Sequence, residues 1–159
     1  MDFNYTEDQS AIRELAYQIF TDRATDEFLL NFSRGEETYD SGLWTTLAEQ
    51  GLLGIAVPEA AGGSGLGLTE LCLMLEEQGR RVAPIPLFSC LVLGGLPIAE
   101  YGTDQQQQKW LTELASGQSK FSAAIADLGM NSALTTSVTA VRGSDDNWTL
   151  NGTKAMVPD

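Results

Sequence analysis

Histidine is absent from this 159-residue chain, and cysteine occurs only twice. The absence of imidazole excludes catalytic triads, imidazole general bases and most zinc sites. The two cysteines, Cys72 and Cys90, lie in separate apolar stretches. We therefore expect both to pack as small hydrophobic side chains, and we expect no metal site.

Basic residues are scarce: nine lysines and arginines stand against 22 acidic residues, and the net charge is −13. A basic face for a nucleic-acid backbone is therefore not available. The longest apolar run, 87–98, is broken by Ser89, two glycines and Pro97, so it is too short to span a bilayer. The first residues resemble neither a signal peptide nor a presequence. These features predict a cytoplasmic protein without nucleic-acid or membrane partners.

Apolar residues at three- and four-residue spacing predict five helices within residues 1–117. Their expected starts are Thr6, either Asp40 or Ser41, the glycine-rich segment before Leu68, the region of Leu87, and Thr103. Thr6 and Gln9 have the spacing of a capping box, and Gly51 is the expected end of the second helix. The fourth helix is apolar on nearly every side, which predicts a central position in the core. The polar stretch 21–39 is interpreted as a connection. Together the helices predict one complete helical domain.

The segment between the second and third helices is apolar and then rich in glycine. We interpret 52–57 as extended, ending at Pro58. The following glycines, 62–65, could cradle a phosphate with their amides at a helix start. Neither a Walker nor a Rossmann spacing is present, which favours a flexible connector.

The third helix carries both an apolar stripe and paired charges. Its expected buried residues are Leu68, Leu71, Cys72 and Leu75. Glu76 precedes Arg80, and Glu77 precedes Arg81, by the four residues that favour ion pairs. The two glutamates could form an acid-base pair, but a solvated, ion-paired face is the favoured interpretation.

Strand-forming residues replace helical patterns after Gly117. Residues 121–126 and 135–141 read as strands, and Asn151-Gly152 predicts a hairpin turn between 148–150 and 153–157. The expected fold class is α+β, mainly α: a helical domain, 1–117, followed by part of an antiparallel β-barrel domain, 118–159. An open sheet edge suggests that this second domain is incomplete.

Several ordered blocks resemble the acyl-CoA dehydrogenase family, from Tyr5 to nearly the end of the chain. They are 51–59, 62–65, 76–80, 101–105, 110–111, 114–117 and 150–154. The resemblance implies a helical domain, a β-barrel domain and a carboxy-terminal helical domain, with FAD and an acyl-CoA thioester meeting where they join. It also implies α,β-dehydrogenation, electron transfer to an electron-transfer flavoprotein, and a homo- or hetero-tetramer.

The family's glutamate base lies in the carboxy-terminal domain, so the resemblance places no catalytic residue in this chain and implies that the fragment alone is inactive. Flavin contacts are expected in two segments: Ile125, Ala126, Asp127 and Ser132 in the first, Met156 and Pro158 in the second. Ala126 and Pro158 replace family threonines. Each lost hydrogen bond could weaken FAD binding by about 1–3 kcal/mol.

The resemblance also implies an acyl pocket lined by the end of the third helix and the start of the fourth. The candidate residues are Gln78, Gly79, Val82, Ala83, Leu87, Phe88 and Leu91, each of which could instead pack in the core. Arg80, Arg81 and Lys154 could face an anionic ligand, although pairing at the surface is favoured.

Two alternatives stay open at this stage. Because Ala126 and Pro158 lack the flavin-facing hydroxyls, the chain could belong to a non-catalytic partner subunit of a heteromeric acyl-CoA dehydrogenase with weakened flavin binding. A flavin monooxygenase or oxidase on the same fold is the other alternative, since fold does not determine function.

Overall fold

A computed structural model describes residues 4–127, 136–144 and 147–158. The chain forms two compact units, Met1–Phe121 and Ser122–Asp159. The first unit is mainly helical, and the second contains a small antiparallel sheet. The predicted fold class, α+β and mainly α, is confirmed. The candidate cofactor residue Ser132 lies outside the described residues.

Helices form most of the first unit. The α-helices are α1 Glu7–Arg23, α2 Asp26–Phe32, α3 Ser41–Glu49, α4 Leu68–Arg81, α5 Leu96–Tyr101, α6 Asp104–Gln106 and α7 Thr112–Ala115. A π-helical segment, Phe88–Gly95, leads directly into α5, and a second, Gln107–Leu111, joins α6 to α7. Two 3-10 turns lie between α3 and α4, at Leu52–Gly54 and Glu59–Ala61.

The predicted caps explain where the helices begin and end. Thr6 and Gln9 form the expected capping box at the start of α1, and Thr103 forms another before α6. Of the two candidates before α3, Asp40 is the cap, because its Oδ1 accepts from the Leu43 amide at 3.0 Å. Gly51 follows α3 with φ 73°, a left-handed conformation that glycine adopts without strain.

The core of the first unit is formed where all the longer helices meet. Its fully buried side chains include Phe20, Leu47, Leu71, Leu87 and Leu111. The apolar helix that begins near Leu87 is central on one side only, because Phe88 on the other side is 55% exposed. The prediction of a central fourth helix is therefore right for one face.

Two local predictions in the first unit are wrong. The polar stretch 21–39 contains α2, a helix of seven residues capped by Thr25, which has apolar residues at 28–30 and 32 but buries none of them completely. Residues 52–57 are not extended: Leu52–Gly54 forms a 3-10 turn, and the Val57 amide donates to Gly54 O at 3.1 Å. This compact turn buries Leu52 and Leu53 together, two neighbouring side chains that a strand would point to opposite faces.

The buried side of α4 is rotated relative to the prediction. Leu71 is buried as expected, whereas Leu68 and Cys72, which were also expected to be buried, are exposed. The other buried residues of α4 are Leu73, Met74 and Glu77, which were not predicted. Helix α1 packs against α4 and covers the side that carries Glu77. Cys72 is therefore not a core residue, and only Cys90 is buried as predicted.

The second unit contains one antiparallel hairpin, β1 Thr139–Arg142 with β2 Trp148–Asn151. The predicted hairpin is wrong, because the partner of β2 precedes it in sequence. Asn151 pairs with Thr139 in the ladder, so it does not form a turn with Gly152, whose φ is 148°. Residues 121–126 and 153–157 lie outside regular strands.

Candidate functional site

Two segments of the second unit lie side by side and run in opposite directions. The Ser122 hydroxyl donates to the carbonyl of Pro158, and the Ala155 amide donates to Ala126 O at 2.8 Å. Lys154 Nζ donates to Ile125 O at 3.0 Å. We call the two segments, 122–127 and 154–158, the paired segments. They bring together the described candidate cofactor residues, which are Ile125, Ala126, Asp127, Met156 and Pro158.

An ion pair joins the paired segments. Lys154 Nζ lies 2.6 Å from Asp127 Oδ1 and donates to Thr136 Oγ1 at 2.9 Å. Asp127 is buried, and its second oxygen accepts from the Ser137 amide. The hydrogen bond from Lys154, together with that from the Ser137 amide, lowers the pKa of Asp127 despite its burial. Asp127 is therefore ionised: one oxygen accepts from the Ser137 amide, and the other meets Lys154 as an ion pair without a hydrogen bond.

The chemistry of this surface fits a flavin ring in part. Ile125, Met156 and Val157 expose apolar side chains, and a methionine thioether packs well on aromatic rings. The backbone amides of Ala126 and Met156 have no acceptor among the described residues, so both could donate to a ligand. Neither Ala126 nor Pro158 has a hydroxyl. A flavin would therefore be held here by apolar contact and backbone donors.

The candidate acyl-pocket residues divide into buried and exposed groups. Ala83, Leu87 and Leu91 are buried in the core. Gln78 is half-buried, and its Nε2 donates to Ala83 O at 3.2 Å and to Ile85 O at 2.7 Å, which fixes the connection after α4. These four residues therefore pack in the core or fix the connection after α4, the alternative role considered for them.

Three other candidates form an exposed apolar edge, Gly79, Val82 and Phe88. A Cβ placed on Gly79 would meet nothing within 4 Å. Val82 is 74% exposed and has φ 51° and ψ 36°, a left-handed conformation that a β-branched residue rarely adopts. Strained residues of this kind cluster at ligand sites. The exposed apolar edge is thus the part of the predicted wall that a ligand could contact.

The charged face of α4 differs from the expected solvated face. Glu76 pairs with Arg80 at 2.6 Å, as predicted. Glu77 is buried and pairs with Arg13 of α1 and with Arg80, each at 3.0 Å. Arg81 donates instead to Thr21 Oγ1 at 3.0 Å. Glu77 is therefore a link between helices, and these contacts do not support an acid-base role.

The glycine-rich loop 62–65 is neither a phosphate cradle nor a free connector. All four of its amides donate to backbone carbonyls within 3.2 Å, Ser64 to Gly54 O and Gly65 to Val57 O among them. A Cβ on Gly63 would overlap Val57 O and Val57 Cβ. The loop is closely packed, and its donors are already used.

One groove of the first unit was not predicted. It has a volume of about 750 Å³ between the 3-10 turns and α5, and its lining includes Ala56, Pro58, Leu66, Leu96 and Tyr101. Glu59 and Glu100 also line it. Two carboxylates make this groove unsuitable for the phosphates of a coenzyme A thioester. Apolar residues distant in sequence line it, so no local pattern could have indicated it.

The described part of the chain contains neither a metal-binding cluster nor a membrane-spanning helix. In residues 4–127, 136–144 and 147–158, no three histidine, cysteine or acidic side chains are arranged to hold a metal ion. No helix in the same ranges combines the length and the apolar character needed to cross a membrane.

The match to a family model identifies the class of protein. Residues 6–118 match the model for the acyl-CoA dehydrogenase N-terminal domain. Acyl-CoA dehydrogenase FadE12 of Mycobacterium tuberculosis is 32% identical over 158 residues, which cover 98% of this chain and 40% of that protein. The chain belongs to the acyl-CoA dehydrogenase family. It spans between 26% and 41% of the length of the curated relatives it matches.

Solved structures of family members share this fold. A steroid ACAD variant, Tcur3481-Tcur3483, is 46% identical with a TM-score of 0.88, over 96% of this chain and 41% of that one. The ChsE4-ChsE5 complex from Mycobacterium tuberculosis is 29% identical with a TM-score of 0.86, over 99% and 42%. An acyl-CoA dehydrogenase complexed with FAD from Bacillus anthracis is 27% identical with a TM-score of 0.85, over 97% and 27%.

Proposed function

We propose that this chain is part of an FAD-dependent acyl-CoA dehydrogenase that forms a double bond between the α and β carbons of an acyl-CoA thioester. The paired segments are the observation that carries the proposal. They bring Ile125, Ala126 and Asp127 next to Met156 and Pro158, which the family resemblance assigns to the cofactor. Family membership and an FAD complex of a structural relative support the same cofactor.

The residues of this chain would bind and orient rather than transfer protons. Bound FAD would supply the hydride acceptor. Ile125 and Met156 would cover the flavin ring with apolar side chains, and the amides of Ala126 and Met156 would donate to its polar edge. The base that removes the α-proton is expected in the carboxy-terminal domain implied by the family. This chain alone should therefore not turn over substrate.

We further propose a bulky acyl group as the substrate. Gly79 leaves open space beside α4, and Val82 and Phe88 present apolar surface on either side of the connection to the π-helical segment. The 46% identical structural relative is described as a steroid ACAD, which supports the same class of substrate. An acyl-CoA whose acyl part carries fused rings would use this open surface better than a short straight chain.

Anaerobic titration of the full-length protein tests this function. The purified protein should show a flavin spectrum, and a steroid side-chain acyl-CoA should bleach it faster than butyryl-CoA does. Electron-transfer flavoprotein should then reoxidise the reduced flavin. A protein that binds no flavin, alone or with added FAD, and bleaches with no thioester would contradict the proposal.

A second candidate is a partner subunit that needs another family member to hold flavin. Ala126 and Pro158 favour it, because both positions lack a hydroxyl that could bind the flavin. One structural relative is the ChsE4-ChsE5 complex, which is consistent with a heteromeric assembly such as a hetero-tetramer. Co-expression with a neighbouring family gene separates the candidates, because flavin content and activity should rise with the partner only if this second function is correct.

A further inference from the structure

Lys154 makes the most extensive set of polar contacts between the described parts of the paired segments. Its ammonium reaches Asp127 Oδ1, Ile125 O and Thr136 Oγ1 at 2.6, 3.0 and 2.9 Å. The Ile125 and Thr136 oxygens accept hydrogen bonds from the ammonium, whereas the Asp127 oxygen forms an ion pair with it. Only 20% of its side chain is exposed. A less exposed ion pair is less screened by water than a surface pair, so these contacts hold Lys154 more firmly.

The contact with Ile125 O has a geometric consequence for Ala126. The carbonyl of Ile125 and the amide of Ala126 belong to one planar trans peptide group, in which C=O and N–H point in opposite directions. By holding the carbonyl, Lys154 turns the Ala126 N–H away from itself. That N–H has no acceptor among the described residues.

The loss of a hydroxyl at Ala126 makes this backbone donor more important. The family threonine would offer two donors at this position, a side-chain hydroxyl and a backbone amide, whereas Ala126 offers the amide alone. A single donor contributes fully only when its direction is fixed before the ligand binds.

We propose that Lys154 is a positioning residue for the flavin, which fixes the Ile125–Ala126 peptide group so that the Ala126 amide points at the cofactor. The proposal rests on the proposed function, because it requires FAD at the paired segments. It is distinct from a simpler role in which Lys154 only neutralises the buried carboxylate of Asp127.

Substitution in two charge backgrounds separates these roles. Lys154→Met keeps most of the length of the side chain and removes its donors, but it also leaves Asp127 buried without its cation. Asp127→Asn removes that charge, and its amide oxygen can still accept from the Ser137 amide. The double variant D127N/K154M therefore lacks the Lys154 contacts without burying an unpaired charge. Lys109→Met is the charge control, since Lys109 is exposed and its ammonium lies 4.0 Å from the centroid of the Trp110 ring, in the first unit.

The measurement is the FAD affinity of the deflavinated full-length protein, obtained by fluorescence titration with FAD. We expect Lys154→Met to weaken FAD binding about tenfold in both the wild-type and the Asp127→Asn backgrounds, as for the loss of one well-oriented hydrogen bond. At saturating FAD, the visible spectrum of the flavin should differ between D127N/K154M and D127N. Lys109→Met should bind FAD as the wild type does.

Two results would overturn the proposal. One is an unchanged FAD affinity in Lys154→Met. The other is a tenfold loss in the wild-type background that disappears in the Asp127→Asn background, which would show that Lys154 only neutralises the carboxylate. If Lys154→Met does not fold, the comparison of D127N/K154M with D127N decides alone. A wild-type protein that binds no FAD contradicts the proposed function instead, so the two failures are distinguishable.

Discussion

Glu77 of α4 is buried, and its Oε1 accepts a charge-assisted hydrogen bond from Nε of Arg13 in α1 at 3.0 Å. Its other oxygen accepts from Arg80, 3.0 Å away on the next turn of α4. A buried carboxylate is tolerated only when both oxygens are engaged. The contact therefore fixes α1 against α4, the helix that carries Gly79 of the exposed apolar edge.

Neutralising Glu77 should destabilise the first unit more than neutralising its neighbour. Glu77→Gln weakens two charge-assisted hydrogen bonds in a buried site, and we expect a loss of about 1–3 kcal/mol in the free energy of unfolding. Glu76→Gln is the matched control, because Glu76 pairs with the same Arg80 but is 49% exposed, and a surface pair contributes about 0–1 kcal/mol. Urea denaturation and hydrogen exchange of the α1 and α4 amides measure both. Equal losses would show that burial of Glu77 has no energetic importance.

Asp40 should make stability depend on acid pH. Burial alone would raise its pKa, but hydrogen bonds from Arg23, at 2.6 and 2.8 Å, and from the Leu43 amide hold the pKa below its ordinary value of 3.8. A lowered pKa in the folded state contributes stability above the ordinary value, and this contribution is lost as the pH falls below it.

The Asp40→Asn variant tests this dependence. Melting temperatures of the wild type and Asp40→Asn, measured between about pH 3 and pH 7, should differ most at neutral pH and converge in acid. The asparagine can still accept from the Leu43 amide, so the cap is retained while the charge is lost. A difference that stays constant over this range would contradict a role for the ionised carboxylate.

The features that the sequence predicted best are those that depend on residues close together in the chain. The caps at Thr6 and Thr103 and the glycine after α3 depend on local hydrogen bonds and φ angles, and they are confirmed. Helix α2 is only seven residues long, so its apolar residues at 28–30 and 32 cover too short a stretch to show a helical period. The exposure of Cys72 depends on where α1 packs, which α4 alone does not encode.

The candidate site was predictable only as two separate segments. Resemblance indicated Ile125 to Asp127 and Met156 to Pro158, but their antiparallel pairing depends on contacts between residues about 30 positions apart in the chain, such as Ala155 with Ala126. The signal at Lys154 was a single positive charge. Its three acceptors are identifiable only once the chain has folded, since backbone carbonyls such as Ile125 O carry no sequence signature.

Two glycines should respond in opposite ways to alanine. A Cβ at Gly63 would lie 2.6 Å from Gly54 O and overlap Val57, so we expect Gly63→Ala to cost about 3 kcal/mol in the free energy of unfolding. Gly79 lies within α4 and has open space around it, so Gly79→Ala should stabilise the helix by about 0.5–1 kcal/mol. Chemical denaturation measures both. A stabilised Gly63→Ala would contradict the close packing of the glycine-rich loop.

Replacement of Val82 should separate stability from substrate binding. Its left-handed backbone costs a β-branched residue about 1–2 kcal/mol, whereas asparagine adopts this conformation more readily. Because the side chain is 74% exposed, little burial is lost, and Val82→Asn should raise the free energy of unfolding by about 1 kcal/mol. Val141→Asn is the control, since Val141 is also exposed but lies in β1 without a positive φ, and it should give no stabilisation.

If Val82 contacts the acyl group, the full-length Val82→Asn enzyme should also show a higher KM for a steroid side-chain acyl-CoA at an unchanged kcat. A stabilised variant with an unchanged KM would show that the strain at Val82 serves the turn after α4 and not the substrate.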